Sequence, residues 1–178
     1  MSQVSSAVKR LIYAGIIVFG IIADQISKVL AVLFLKPISA VPIIKNVFHL
    51  TYVENRGAAF GMLADHRWLF MVFSTVAIVG LGFYLFWGRS YLSEKREDGT
   101  YPPITLWTGV PIAMIVSGGI GNMIDRIRLG YVVDFFDFTL INFAVFNVAD
   151  SFVTVGAVLL GVALIVPMFR KKDKTKFK

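Results

Sequence analysis

Four apolar stretches, residues 11–35, 68–87, 104–124 and 151–169, limit what this chain can become. Each is close to the roughly 20 residues that a helix needs to cross the hydrocarbon layer of a membrane. No water pairs with the backbone there, so a spanning segment must satisfy its own N–H and C=O groups, as a helix does. Composition agrees: 57% of the 178 residues are hydrophobic and 16% are charged, against about 25% charged in an ordinary soluble domain. The first run is too long for a signal-peptide core and no small-residue cleavage site follows it, so a retained helix is expected. The sequence therefore predicts an all-α membrane protein: one polytopic domain over 1–178, built as a bundle of four transmembrane helices.

Charge sets the expected orientation. Lys9, Arg10, Arg89, Lys95, Arg96 and the six cations of the 170–178 tail lie on one side of the runs, eleven in all. Lys36, Lys45, Arg56, Arg67, Arg126 and Arg128, six in all, lie on the other. The excess of Lys and Arg on cytoplasmic segments then places both termini in the cytoplasm and the loops 36–67 and 125–150 outside. A net charge of +7 concentrated in a terminal tail suits anionic lipid, so membrane lipid rather than nucleic acid is the expected partner. Loop 36–67 is more than a linker. PIIKNVFHLTYV (42–53) is rich in β-branched and aromatic residues, which predicts short strands. Gly57 and Gly61 bracket an AAF stretch, and residues 66–70 read as a short interfacial helix or a helix start. A small extracytoplasmic β platform is expected from this loop.

The chain has no cysteine and two histidines, His49 and His66, which excludes thiol chemistry and disulfides and leaves no ordinary zinc-ligand set. No metal or cofactor is expected. Asp24 and Lys28 fall inside the first run, four apart and hence on one helix face. Two readings are open: an ion pair that ties the bundle together, or support for a site, because charges inside a membrane are expensive. Ser27 points about 100° away from Lys28 on a helix, so a Ser–Lys nucleophile is disfavoured. The third run ends in SGGIGNMIDRIRLGYVVDFFDF. Ser117, Gly118, Gly119 and Gly121 are small enough to let another backbone approach. Asn122, Asp125 and Arg126 follow at the outer rim, and Asp125 reads either as half of a structural Asp–Arg pair or as a site residue. Asp134 is flanked by Val132, Val133, Phe135 and Phe136, a setting that desolvates a carboxyl and raises its pKa. Asn147 with Asp150 three residues later is a helix-start signature, so Asp150 is either a cap partner or a chemical group. The third loop leaves and re-enters the membrane on one side, which lets Asp134 and Asp150 meet. Two carboxylates sharing a proton can activate water for attack on an amide, one taking the proton while the other polarises the carbonyl.

DQISK (24–28), ENRGAAF (54–60), GGIGNMIDRIRLGYVVDFFDF (118–138) and FNVADSFVTVG (146–156) together resemble the lipoprotein signal peptidase (signal peptidase II) family of bacterial membrane aspartyl proteases. The blocks stand in the family's order and cover nearly the whole chain. The resemblance implies that Asp134 and Asp150 form the catalytic dyad. It implies that Asp24, Lys28, Asn55, Gly57, Gly119, Asn122, Asp125, Arg126, Asn147 and Ala149 shape or line the site. The implied substrate is a diacylglyceryl-modified prolipoprotein, cut just before its lipidated cysteine, and the implied inhibitor is a globomycin-type cyclic peptide. The implied location is the bacterial cytoplasmic membrane, with the site toward the outer face. Two other classes compete with this reading. A small transporter would use Asp24 and Lys28 on an ion path, but repeated halves and broken midplane helices are not evident. A scaffold would use the glycine faces for packing alone.

Overall fold

A computed structural model describes residues 4–57, 67–89 and 94–174. Residues 58–60, Gly61 and His66, read above as part of the outer loop, and residues 175–178 of the basic tail lie outside the described residues. The chain is mostly helical. Helix α1 spans Ser6–Phe34, with the Ser5 hydroxyl accepting the Val8 N–H at its start. Helices α2 (Arg67–Trp87), α3 (Leu106–Arg128) and α4 (Val148–Lys174) follow. Among the described residues α1, α3 and the Val148–Val166 part of α4 are long and apolar enough to cross a membrane, while the described apolar run of α2, Met71–Trp87, is shorter. Large apolar side chains stand exposed along them, among them Phe19 and Leu33 on α1, Phe73 and Phe83 on α2, and Val158 and Ile165 on α4. Such continuous apolar faces belong in lipid.

Helix α3 is the hub. It packs on each of the other three helices. Its small residues explain how. A side chain at Gly118 would strike the Ala149 carbonyl oxygen of α4, and one at Gly119 would meet Ile78 of α2 at 2.8 Å. On α1, Gly20 faces Ser117 and Phe152 as closely. Tyr13, Leu85, Ile112, Ala113 and Val116 fill the lower core between α1, α2 and α3. The basic stretch after residue 169 is not a break in the backbone, because α4 continues as helix through Lys174.

The strands expected in 42–53 are present as β1 (Ala40–Ile44) and β2 (Phe48–Asn55), an antiparallel pair. Their turn closes with Val47 N–H on the Ile44 carbonyl, and Asn46 takes the left-handed conformation (φ 59°) that its short polar side chain tolerates. One expectation needs correction. The platform is not built from loop 36–67 alone: a third strand, β3 (Val132–Asp137), comes from the segment between α3 and α4 and pairs antiparallel with β2. The run VVDFFD has the β-branched and aromatic content of a strand, and β2 offers it an unpaired edge. Val133 and Phe135 of β3 pack on Ala31 and Leu35 at the end of α1, which seats the sheet on the end of the bundle. The register sets Asp134 opposite Val53.

Candidate active site

The start of α4 organises the site. Asn147 immediately precedes the helix; its Oδ1 accepts the Asp150 N–H at 2.9 Å, and its own N–H donates to Asp150 Oδ2 at 3.1 Å. This is a reciprocal capping box, which satisfies backbone donors that a helix leaves free. The capping reading of Asp150 is therefore correct as structure, and it does not use up the side chain. Asp150 Oδ1 accepts a 2.7 Å bond from Asn122 Nδ2 of α3. Asn147 Nδ2 in turn donates to Asp134 Oδ1 at 2.7 Å, to Asn122 Oδ1 at 3.1 Å and to the Val133 carbonyl at 3.3 Å. One side chain thus caps a helix, ties it to β3 and joins the two aspartates into one network.

Asp134 is held from the other side by Asn55 Nδ2 at 2.9 Å, at the end of β2, and Asn55 Oδ1 accepts the Gly57 N–H at 3.1 Å. Asp134 is 1% exposed. Burial is the main reason that its carboxyl is pushed up from the ordinary 3.8 to about 6; the Asn55 bond opposes this, and the nearby charge of Asp150 adds to it.

A cavity of about 710 Å³ opens beside the pair. Its polar end is lined by Asn55, Gly57, Gly119, Asn122, Arg126, Asp134 and Asp150. The rest is mostly apolar, with Ala77, Ile78 and Leu81 of α2, Ile115 of α3, and Val153 and Val155 of α4, alongside the hydroxyls of Ser74, Ser151 and Thr154. The cleft therefore runs from two carboxyls into a greasy slot between helices.

The remaining residues singled out in the sequence lie behind this cavity. Lys28 Nζ reaches Asp24 Oδ2 at 2.9 Å, Asp125 Oδ2 at 3.1 Å and Asn122 Oδ1 at 2.9 Å, all buried. Asp24 Oδ1 accepts the Ala149 N–H at 3.0 Å, and Asp125 Oδ2 accepts the Val133 N–H at 3.1 Å. The ion-pair reading of Asp24 and Lys28 thus holds. Asp125 pairs with Lys28 across the bundle, and Arg126 donates to the Asn122 carbonyl at 3.3 Å. Ser27 turns back to the Asp24 carbonyl, away from any nucleophilic arrangement. One participant escaped sequence reading: Gln25 Nε2 bonds Asp24 Oδ2, Asp125 Oδ1 and the Gly121 carbonyl. Its only signal was its place inside the DQISK block.

A family model described as signal peptidase (SPase) II matches residues 16–166. A lipoprotein signal peptidase of Clostridioides difficile (strain 630) is 43% identical over 164 residues, covering 92% of this chain and all of that protein. Another, from Caldanaerobacter subterraneus subsp. tengcongensis, is 48% identical over 84% of this chain and 93% of its own length. Two solved structures described as bacterial membrane enzymes superpose with TM-scores of 0.71 and 0.69 at 29% and 30% identity. They cover 93% and 86% of this chain and 91% and 92% of their own. With most of its length matched by the family model and by close relatives, the chain belongs to the signal peptidase II family.

Proposed function

We infer that this protein is a bacterial membrane aspartyl endopeptidase that removes the signal peptide from diacylglyceryl-modified prolipoproteins, cutting just before the lipidated cysteine. Family membership supports the protease activity and the lipoprotein substrate. The observation that carries the mechanism is the pairing of two carboxyls, Asp134 and Asp150, on the wall of a cavity that continues as an apolar slot between α2 and α4. A substrate anchored by acyl chains can reach such a slot sideways from the bilayer.

In this reading Asp134 carries the single proton of the pair, and Asp150 is the base. Asp150 takes a proton from water as the oxygen attacks the scissile carbonyl, while Asp134 donates its hydrogen bond to the carbonyl oxygen. The tetrahedral species collapses as the proton on Asp150 passes to the leaving amine. Asn55, Asn122 and Asn147 hold both carboxyls in place, and Gly57, Gly119 and Arg126 shape the cavity. Asp24, Lys28, Asp125 and Ala149 support it from behind. The reaction calls for no cofactor. A globomycin-type cyclic peptide is expected to occupy the same cavity and block it.

We also assign four membrane spans, with α2 as the second, both termini in the cytoplasm and the sheet at the outer face. The charge asymmetry of the sequence supports this orientation. The test of function is cleavage by purified protein of a precursor peptide with and without diacylglyceryl on its cysteine. Cleavage of the lipidated peptide alone, at the bond before that cysteine, is expected. Equal cleavage of both, or of neither, contradicts the reading.

A further inference from the structure

The cluster around Lys28 does more than neutralise charge. Asn122 stands between it and the aspartate pair, with its two ends in opposite company. Two donors converge on its Oδ1: Lys28 Nζ at 2.9 Å and Asn147 Nδ2 at 3.1 Å. Its Nδ2 meets an acceptor, Asp150 Oδ1, at 2.7 Å. Turning this carboxamide over would set its NH₂ against an ammonium and another amide, and its oxygen against a carboxylate. All three contacts would become repulsive. The direction of Asn147 is fixed separately, because its Oδ1 accepts the Asp150 backbone N–H.

We propose that Lys28 is a positioning residue for catalysis: its ammonium locks the Asn122 carboxamide in the one orientation that donates to Asp150. Lys28 is itself over-determined, since Asp24 and Asp125 hold it from two helices and the Ala149 and Val133 N–H groups hold those carboxylates. A fixed donor costs no reorganisation when charge moves on Asp150 during proton transfer. The effect of Lys28 reaches the other carboxyl too, because its charge partly opposes the upward shift at Asp134. The inference rests on the assignment of Asp134 and Asp150 as the reacting pair.

Among the described residues, the charged groups around the pair are Asp24 and Lys28 from α1, and Asp125 and Arg126 from α3. From the sheet, Glu54 on β2 is engaged by Lys36 and Arg56. The cavity residues of α2, Ser74, Ala77, Ile78 and Leu81, bring no charge. Loss of the donated bond should therefore be read at the acid limb of activity.

The test uses purified full-length protein in detergent or lipid and the lipidated precursor. In one variant Lys28→Met is combined with Asp125→Asn, which leaves the net charge of the cluster unchanged. In a second, Asn122→Asp keeps the shape and the Lys28 bond but removes the donor to Asp150. Each is expected to lower kcat at least tenfold with KM within about twofold, and to move the acid limb of the kcat/KM profile to higher pH. If the Lys28→Met/Asp125→Asn protein does not fold, Lys28→Gln, which removes the ammonium and keeps a polar side chain, decides on the same two readouts. A folded variant with an unmoved acid limb overturns the proposal, whether or not kcat falls, because a purely structural role predicts that result. The dyad assignment is checked separately: if Asp134→Asn is inactive while these variants are normal, only the Lys28 inference fails.

Discussion

Two pairs of aspartates lie within one network at the same end of the bundle, and they are built differently. Asp24 and Asp125 close around the Lys28 ammonium, and every one of these groups is buried. Asp134 and Asp150 are held by asparagine amides and a backbone N–H, and they face a cavity. A carboxylate bonded to a buried cation ties helices together. At Asp134, burial and the neighbouring carboxyl push the pKa up although its amide donors oppose this, and the proposed reaction uses the proton so kept. Acid residues at this end of the bundle are thus sorted by their partners, not by their burial, since Asp24 is 0% exposed and Asp134 1%.

That contrast can be broken most severely at the amide-held pair. Asp134→Asn and Asp150→Asn should each lower cleavage of the lipidated precursor by at least about 10³-fold, because the proposed reaction uses both carboxyls as a unit. The unfolding temperature in detergent should change little. Near-normal turnover in either folded variant would remove the pair from the chemistry.

The cation-held pair should fail differently. Asp125→Ala leaves Lys28 with one carboxylate and strips the Val133 N–H of its acceptor. Losing a partner from a buried ion cluster costs about 3–5 kcal/mol, so the loss should appear first in thermal unfolding. An unchanged unfolding temperature would show that the cluster does not tie the bundle.

A smaller effect sharpens the boundary between the regions. Arg126 lines the cavity and donates to the Asn122 carbonyl, whereas Arg128 is exposed at the end of α3. Arg126→Ala should lower kcat/KM by about tenfold and Arg128→Ala by less than about twofold, after correction for expression. Equal effects would erase the distinction.

Local patterns made much of this legible. Asp24 and Lys28 show their shared face in a spacing of four, and Ser117, Gly118, Gly119 and Gly121 show a close helix approach in their small size. Asn147 and Asp150 announce a helix start by their spacing. What stayed hidden is non-local. Nothing near Asp134 says that its strand pairs with β2 in a register that brings Asn55 to its carboxyl. Nor does the sequence near Asp125 say that it turns to Lys28, 97 positions earlier. Sheet register and helix contacts are set by packing of distant segments, and periodicity in one segment carries no record of them. The double duty of Asn147 was hidden for the same reason. Its cap was local, and its bond to Asp134 was not.

The central claim is that Asp134 and Asp150 share one proton, held on Asp134. It is tested most directly by the pH dependence of kcat/KM on the lipidated precursor, with folding followed in parallel. Burial raises Asp134 to about 6, above the ordinary 3.8, so it keeps its proton to a higher pH than an exposed aspartate does. Above that value the pair loses its only proton, and Asp134 can no longer donate to the carbonyl oxygen, so activity should fall as pH rises through the region of 6 and beyond. In acid the pair gains a second proton, Asp150 ceases to be a base, and activity should fall again. The expected profile is a bell, with its alkaline limb well above the ordinary aspartate range, and apparent values that belong to the pair. A profile that rises once and stays flat to high pH, while the protein remains folded, would contradict it.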